Sequence, residues 1–177
     1  MSKPLKQNNK KLIFAAPFTA VICILSQIAI PTPAIPITLQ TFAVCLCGYL
    51  LGTKLALLSV LCYIILGAVG LPVFYGFQGG AQHLISLTGG FIFGFIPLTF
   101  FCGISTRAKN HFLKISLGII GVLLCHIMGV IQFWLVSNNN LIASFIIASL
   151  PYILKDIPLC IAALYISAFV RKKGILL

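Results

Sequence analysis

The sequence predicts an all-α integral membrane protein with six transmembrane helices, and three observations predict it. Hydrophobic residues make up 60% of the 177 and charged residues only 7%, against roughly 45–50% and about 25% in soluble domains. The apolar residues gather in runs near the ~20 residues that cross a hydrocarbon core of about 30 Å. Lys and Arg fall almost entirely in alternate connections between those runs. So few charges cannot coat a soluble globule, which excludes a soluble enzyme, a disordered tail and a secreted disulfide scaffold.

In chain order, residues 1–11 form a polar N-terminal tail, expected to be frayed. It resembles a signal-peptide n-region, but no small-residue cleavage site ends the first apolar run and more runs follow, so no cleavage is expected. The single membrane domain covers residues 12–170, with candidate spans at 12–30, 37–52, 54–71, 87–105, 113–136 and 151–170. Residues 171–177 form a short C-terminal tail. Lys3, Lys6, Lys10 and Lys11 precede the first span, Lys54 lies between the second and third, Arg107, Lys109 and Lys114 between the fourth and fifth, and Arg171, Lys172 and Lys173 after the sixth. Eleven of the twelve basic residues thus fall on one side, and the positive-inside rule puts both termini in the cytoplasm of a cell with a bacterial (inner) membrane. A net charge of +11 would suggest nucleic acid in a soluble protein. Here the cations are topological, with no aromatic–basic platform, and nucleic acid is not an expected partner.

The outward segments are 31–36, 72–86 and 137–150, and none carries a charge. The first holds Pro31, Pro33 and Pro36, which forbid a continuous helix. The second mixes Phe74, Tyr75 and Phe77 with Gly76, Gly79 and Gly80, a backbone that can fold sharply under a ring-lined surface. The third reads as a turn at Ser137–Asn140 and a short interfacial helix, flanked by Trp134 and Tyr152 as belt aromatics. These segments are either lids over a cavity, with Phe74 and Gln78 its contacts, or apolar loops lying in the headgroups.

Asp156 is the only acidic residue, and it lies inside the sixth span. A carboxylate at a helix centre costs about 2.5–3.5 kcal/mol on insertion scales, so it is a functional-site candidate. Pro151 starts that helix, which places Asp156 about one and a half turns in. Lys155 is either a second ligand contact or half of a self-neutralising pair, snorkelling outward. Neighbours point about 100° apart, which disfavours a face-to-face pair. Tyr152, Cys160 and Ala163 share the Asp156 face, and Thr38, Gln40, Gln78, Gln82, His83, Thr88 and Gln132 are polar groups that can face it. Such a set suits a small ligand with N–H donors and a polar tail. His83, His111 and His126 share no helix face and read as hydrogen-bonded packing residues, so neither haem nor metal is expected. The seven cysteines lie inside apolar segments without a C-x-x-C pair and read as small hydrophobes. Nucleophile-elbow, zincin and phosphate-loop motifs are missing, which argues against an enzyme or a self-contained ATPase and implies no cofactor. Ala16/Ala20, Gly48/Gly52 and Gly90/Gly94 are small-x-x-x-small pairs suited to close helix packing, inside the chain or with a partner.

The ordered string Ile35-Pro36-Ile37-Thr38-Leu39-Gln40-Thr41-Phe42, Gly48-Tyr49-Leu50-Leu51-Gly52, Tyr63 through Phe74, and Thr88-Gly89-Gly90-Phe91 closely resembles the BioY family. These are the biotin-binding S components of energy-coupling factor (ECF) transporters. The match runs from the first span to the sixth. It implies a six-helix S-component bundle, a biotin pocket open to the outside, and a coupling subunit and ATPases on other chains. The family's last-helix acid falls on Asp156. The lysine usual three residues later is replaced by Leu159, with Lys155 before the aspartate instead. The G-P-T-G-G-Y signature survives as Leu87-Thr88-Gly89-Gly90-Phe91, and Gln78 falls where a polar or basic side chain is expected. The alanine-spaced coupling patch falls on Ala16 and Ala20, with Pro17 between them. The expected binding set is therefore Asp156, Lys155, Gln78, Tyr152, Phe74, Thr88, Gly89 and Gly90. An S component for another small vitamin, and a membrane scaffold subunit, are the competing readings.

Overall fold

The computed structural model describes residues 4–33 and 35–174, with side chains from residue 15 onward. Lys3 and the side chains of Lys6, Lys10 and Lys11 lie outside the described residues. Helix α1 (Pro4–Gln27) is followed by a two-residue strand β1 (Ala29–Ile30), its antiparallel partner β2 (Ile37–Thr38) and helix α2 (Gln40–Ala68). Two 3-10 turns, Tyr75–Phe77 and Ala81–His83, lead to α3 (Gly89–Ser105) and α4 (His111–Val136). The short α5 (Leu141–Ala148) and α6 (Leu150–Lys172) complete the chain. By length and composition α2, α4 and α6 can cross a membrane, while Ala15–Gln27 and Gly89–Ser105 are shorter apolar helices. α1 already begins at Pro4, a residue suited to a first helical turn, so the tail expected to be frayed is helical over residues 4–11.

The helix ends follow from local chemistry. The Asn110 side chain accepts a hydrogen bond from the Phe112 amide at 2.9 Å and starts α4; Asn140 accepts from the Ala143 amide at 2.8 Å and starts α5. Pro151 sits in the first turn of α6, where its missing N–H costs nothing.

Gly52 breaks α2. Its φ of 72° and ψ of 175° lie in a region open essentially to glycine alone. The Gln40 side-chain amide donates to the Tyr63 hydroxyl, 23 residues further on. In a straight helix those residues would stand about 35 Å apart. α2 is therefore a helical hairpin whose limbs, residues 40–51 and 53–68, are the second and third of the six apolar helical segments longer than ten residues. Beside the break, the Arg171 guanidinium donates to the carbonyls of Tyr49 and Leu50 from the end of α6. Gly52 is thus a turn rather than half of a Gly48/Gly52 packing pair.

Packing is close where glycines allow it. A Cβ at Gly94 would stand 2.8 Å from Cys125 Cα, and one at Gly48 2.6 Å from Cys102 Cβ. In lipid, where excluding water drives little, such approach is what holds helices together. Thr19 and Ser59 tie α1 to the second limb of α2: Thr19 Oγ1 lies 3.1 Å from the Ser59 carbonyl, and Ser59 Oγ lies 3.0 Å from the Ala15 carbonyl. Cys45, Cys102 and Cys160, from α2, α3 and α6, bring their sulfurs within 4.8 Å of one another, with the Tyr49 hydroxyl 3.2 Å from Cys160 Sγ. Spacing along the chain gives no sign of this meeting, because each thiol comes from a different helix.

Candidate ligand-binding site

At the end of the bundle where the β1–β2 hairpin, segment 72–86 and the start of α6 meet, the protein encloses a cavity of about 370 Å³. Prolines 31, 33 and 36 prevent helix, and the chain instead turns back through the hairpin, which presents Ile35, Pro36 and Thr38 to the cavity. Segment 72–86 contributes Phe74, Tyr75, Gln78, His83 and Ser86. It is fastened from both sides. The Gln27 side chain donates to the Phe74 carbonyl at 2.9 Å and accepts from the Phe77 amide at 2.9 Å. The Gln132 amide donates to the carbonyls of Leu84 at 2.7 Å and Ser86 at 2.8 Å. Gln132 therefore serves the segment rather than the cavity, and Gln82 caps Gly79.

Asp156 sits about 9 Å in from the start of α6 and is only 5% exposed. Its Oδ2 lies 3.2 Å from His126 Nε2. His126 Nδ1 in turn lies 3.0 Å from Ser149 Oγ, at the α5–α6 junction. The Lys155 ammonium is 2.6 Å from Asp156 Oδ1 and donates to the Thr38 carbonyl at 2.8 Å. The two neighbours do pair, contrary to the expectation from helix angles, because the long lysine stem bends its ammonium round to the carboxylate. Oδ1 has this ion pair but no donor aligned for a hydrogen bond among the described residues.

The walls are aromatic and apolar. Phe74 is buried, with its ring edge-on to Tyr63 at 5.5 Å and to His83 at 6.1 Å. Phe91, Ile92 and Phe95 form the α3 side. Of the expected set, Asp156, Lys155, Gln78, Tyr152, Phe74 and Thr88 meet at this cavity. Gly89 and Gly90 are not among its lining residues. A Cβ on Gly90 would stand 2.8 Å from Gln132 Cβ and 3.0 Å from Gly129 Cα, so this turn of α3 is packed against α4. Tyr152 is no belt residue: it is 7% exposed, and its hydroxyl donates to the Ile35 carbonyl and lies 3.3 Å from Thr32 Oγ1, bracing the hairpin. Trp134 is exposed. His126, Ser149 and Tyr63 were not among the expected site residues. The available signal for two of them was a polar ring inside an otherwise apolar span.

Ala16 and Ala20 lie elsewhere. They are exposed on α1 and, with Thr19, Leu58, Cys62 and Ile65, border an open apolar groove between α1 and the second limb of α2.

The BioY family model matches residues 1–174 of this chain. The chain belongs to the BioY family. Among the relatives of this BioY chain, the probable biotin transporter BioY of Pyrococcus horikoshii is 39% identical over 148 residues, covering 84% of this chain and 88% of the relative. The biotin transporter BioY of Thermotoga maritima is 43% identical over 122 residues, covering 68% and 72%. The 2.1 Å crystal structure of the S-component for biotin from an ECF-type ABC transporter superposes with a TM-score of 0.84 at 31% identity, over 97% of this chain and 95% of that one. The chain is accordingly a multi-pass membrane protein with the S-component fold, in a family of transporter components rather than enzymes.

Proposed function

We propose that this BioY chain captures biotin from outside the cell and mediates its uptake together with an ECF transmembrane coupling subunit and ATPase subunits supplied by other chains. The observation that carries the reading is the buried Asp156 at the cavity, with one carboxylate oxygen lacking an aligned donor. Biotin's ureido ring has two N–H donors and no charge, so an ionised carboxylate accepting charge-assisted hydrogen bonds is a fitting buried partner. The apolar thiophane ring suits the walls made by Tyr63, Phe74, Phe91 and Phe95. Lys155 is the one Lys or Arg among the cavity's described lining residues, and in this reading its side chain turns from Asp156 to the ligand's carboxylate tail. Segments 31–36, 72–86 and 137–150 act as the outer lids. The groove at Ala16 and Ala20 takes the coupling partner, since small side chains let helices approach closely.

The test is binding of tritiated biotin to the detergent-purified protein, beside uptake by a biotin auxotroph expressing it. Asp156→Asn keeps the volume but turns one acceptor into a donor facing a donor. Affinity is expected to fall by about 2–4 kcal/mol, on the order of thirty- to a thousand-fold. The variant should still fold, because Lys155 keeps the Thr38 carbonyl and His126 keeps Ser149. Absence of biotin binding by the unmodified protein would sink the substrate assignment and favour a scaffold subunit. Wild-type affinity in Asp156→Asn would remove the carboxylate from the contact.

A further inference from the structure

Behind the cavity wall stands a buried side chain to which the binding reading gives no part. His126 is 3% exposed, is not a cavity-lining residue, and holds both ring nitrogens against polar partners. Its ring stands edge-on to Phe91, centroids 5.6 Å apart at 83°, so the imidazole has little freedom to turn. We infer that His126 is a positioning residue: with Ser149 fixing its tautomer, it clamps Oδ2 of Asp156 and so fixes the orientation in which the carboxylate meets the ligand. The inference rests on the biotin-binding reading above.

The chemistry follows from the two contacts together. A neutral imidazole has one N–H. If Nδ1 carried it, the Nε2 lone pair would face a carboxylate oxygen and the pair would repel. If Nε2 carries it, the ring donates to Asp156 Oδ2, and the Ser149 hydroxyl donates to Nδ1. Of the two neutral tautomers only the second satisfies all three groups, and a hydrogen bond on one ring nitrogen is what sets the role of the other. A carboxylate clamped on one oxygen cannot swing both oxygens towards Lys155, the other charged group in contact with it. Ser149 is the junction between α5 and α6, so the outer helix, α4 and the binding carboxylate form one hydrogen-bonded series. Such pre-organisation lowers the ordering cost of binding.

Three variants test this with biotin binding and ligand-free thermal stability measured on each. A glutamine side chain can put its amide nitrogen near the place of Nε2, whereas asparagine reaches only as far as Nδ1. His126→Gln should therefore retain most of the affinity, and His126→Asn should lose on the order of ten- to a hundred-fold, the worth of one hydrogen bond to a charged group. Ser149→Ala, a small change with little risk to folding, should weaken binding severalfold in the native background. It should weaken it hardly at all beside His126→Gln, which has no second nitrogen to orient. Equal losses in His126→Gln and His126→Asn, or an undiminished Ser149→Ala effect in the glutamine background, would overturn the positioning role. Asp156→Asn, measured in parallel, separates the outcomes. If it binds like the wild type, Asp156 is no ligand contact and the clamp falls with that part of the reading; if it does not, a failure of the His126 pattern condemns the clamp alone.

Discussion

Lys155 illustrates what a residue's position on a helix does and does not determine. Its Cβ direction differs by about 100° from that of Asp156, yet its ammonium reaches the Asp156 carboxylate at 2.6 Å and the Thr38 carbonyl at 2.8 Å. Periodicity specifies where a side chain leaves the backbone, not where a four-carbon stem ends. For the same reason Asp156 stood out in the sequence, being a lone carboxylate in an apolar span, while its clamp by His126 did not: that contact joins α4 to α6, 30 residues apart. Lys155→Met keeps the stem's packing and removes the cation. Under the proposed reading, affinity for biotin should drop on the order of ten- to a hundred-fold, the worth of a hydrogen bond to a charged group. Affinity for biotin methyl ester, whose tail is uncharged, should fall much less. Equal losses for the two ligands would mean that Lys155 acts through Asp156 rather than on the tail.

The six apolar runs were legible because lipid demands helices with their backbone satisfied internally, and their boundaries failed where a special backbone intervened. The gap read at residue 53 falls one residue earlier: Gly52, given to the second run, turns α2 back on itself with no loop at all. The proline segment, read only as non-helical, closes into the β1–β2 hairpin with Ala29 opposite Thr38, a pairing that needs contacts across the turn which no local pattern reveals. Ala16 and Ala20 were legible as a small-residue pair, whose spacing alone left packing inside the chain or with a partner open. The structure leaves both exposed, in a groove that shares no lining residue with the ligand cavity. That separation makes the coupling proposal testable on one element. Ala20→Leu should fill the groove and block close approach of a partner helix, so biotin uptake should fall severalfold in cells with the binding constant of the purified protein unchanged. A parallel loss of binding would show that this face of α1 supports the pocket instead.

At the scale of the whole molecule, the basic cluster and the cavity occupy opposite ends. Lys114, Arg171 and Lys172 gather with Tyr49 around a second hollow at the far end of α6 from Asp156, while segments 31–36, 72–86 and 137–150 carry no charge. Under the positive-inside rule the basic end is expected in the cytoplasm and the ligand cavity outside. This asymmetry was the part of the architecture most open to reading, because it depends on counting residues and not on contacts. Asn139 and Lys109 probe it from the two ends of α4, a helix about 39 Å long, and both are exposed. Five of the seven native cysteines are buried, so Cys23→Ala and Cys62→Ala alone remove the half-buried thiols and spare the core where Cys45, Cys102 and Cys160 meet. In that background Asn139→Cys should react with an impermeant maleimide applied to intact cells, and Lys109→Cys should react only after the membrane is opened. The reverse pattern would turn the cavity to the cytoplasm, and capture of biotin from outside could not be sustained.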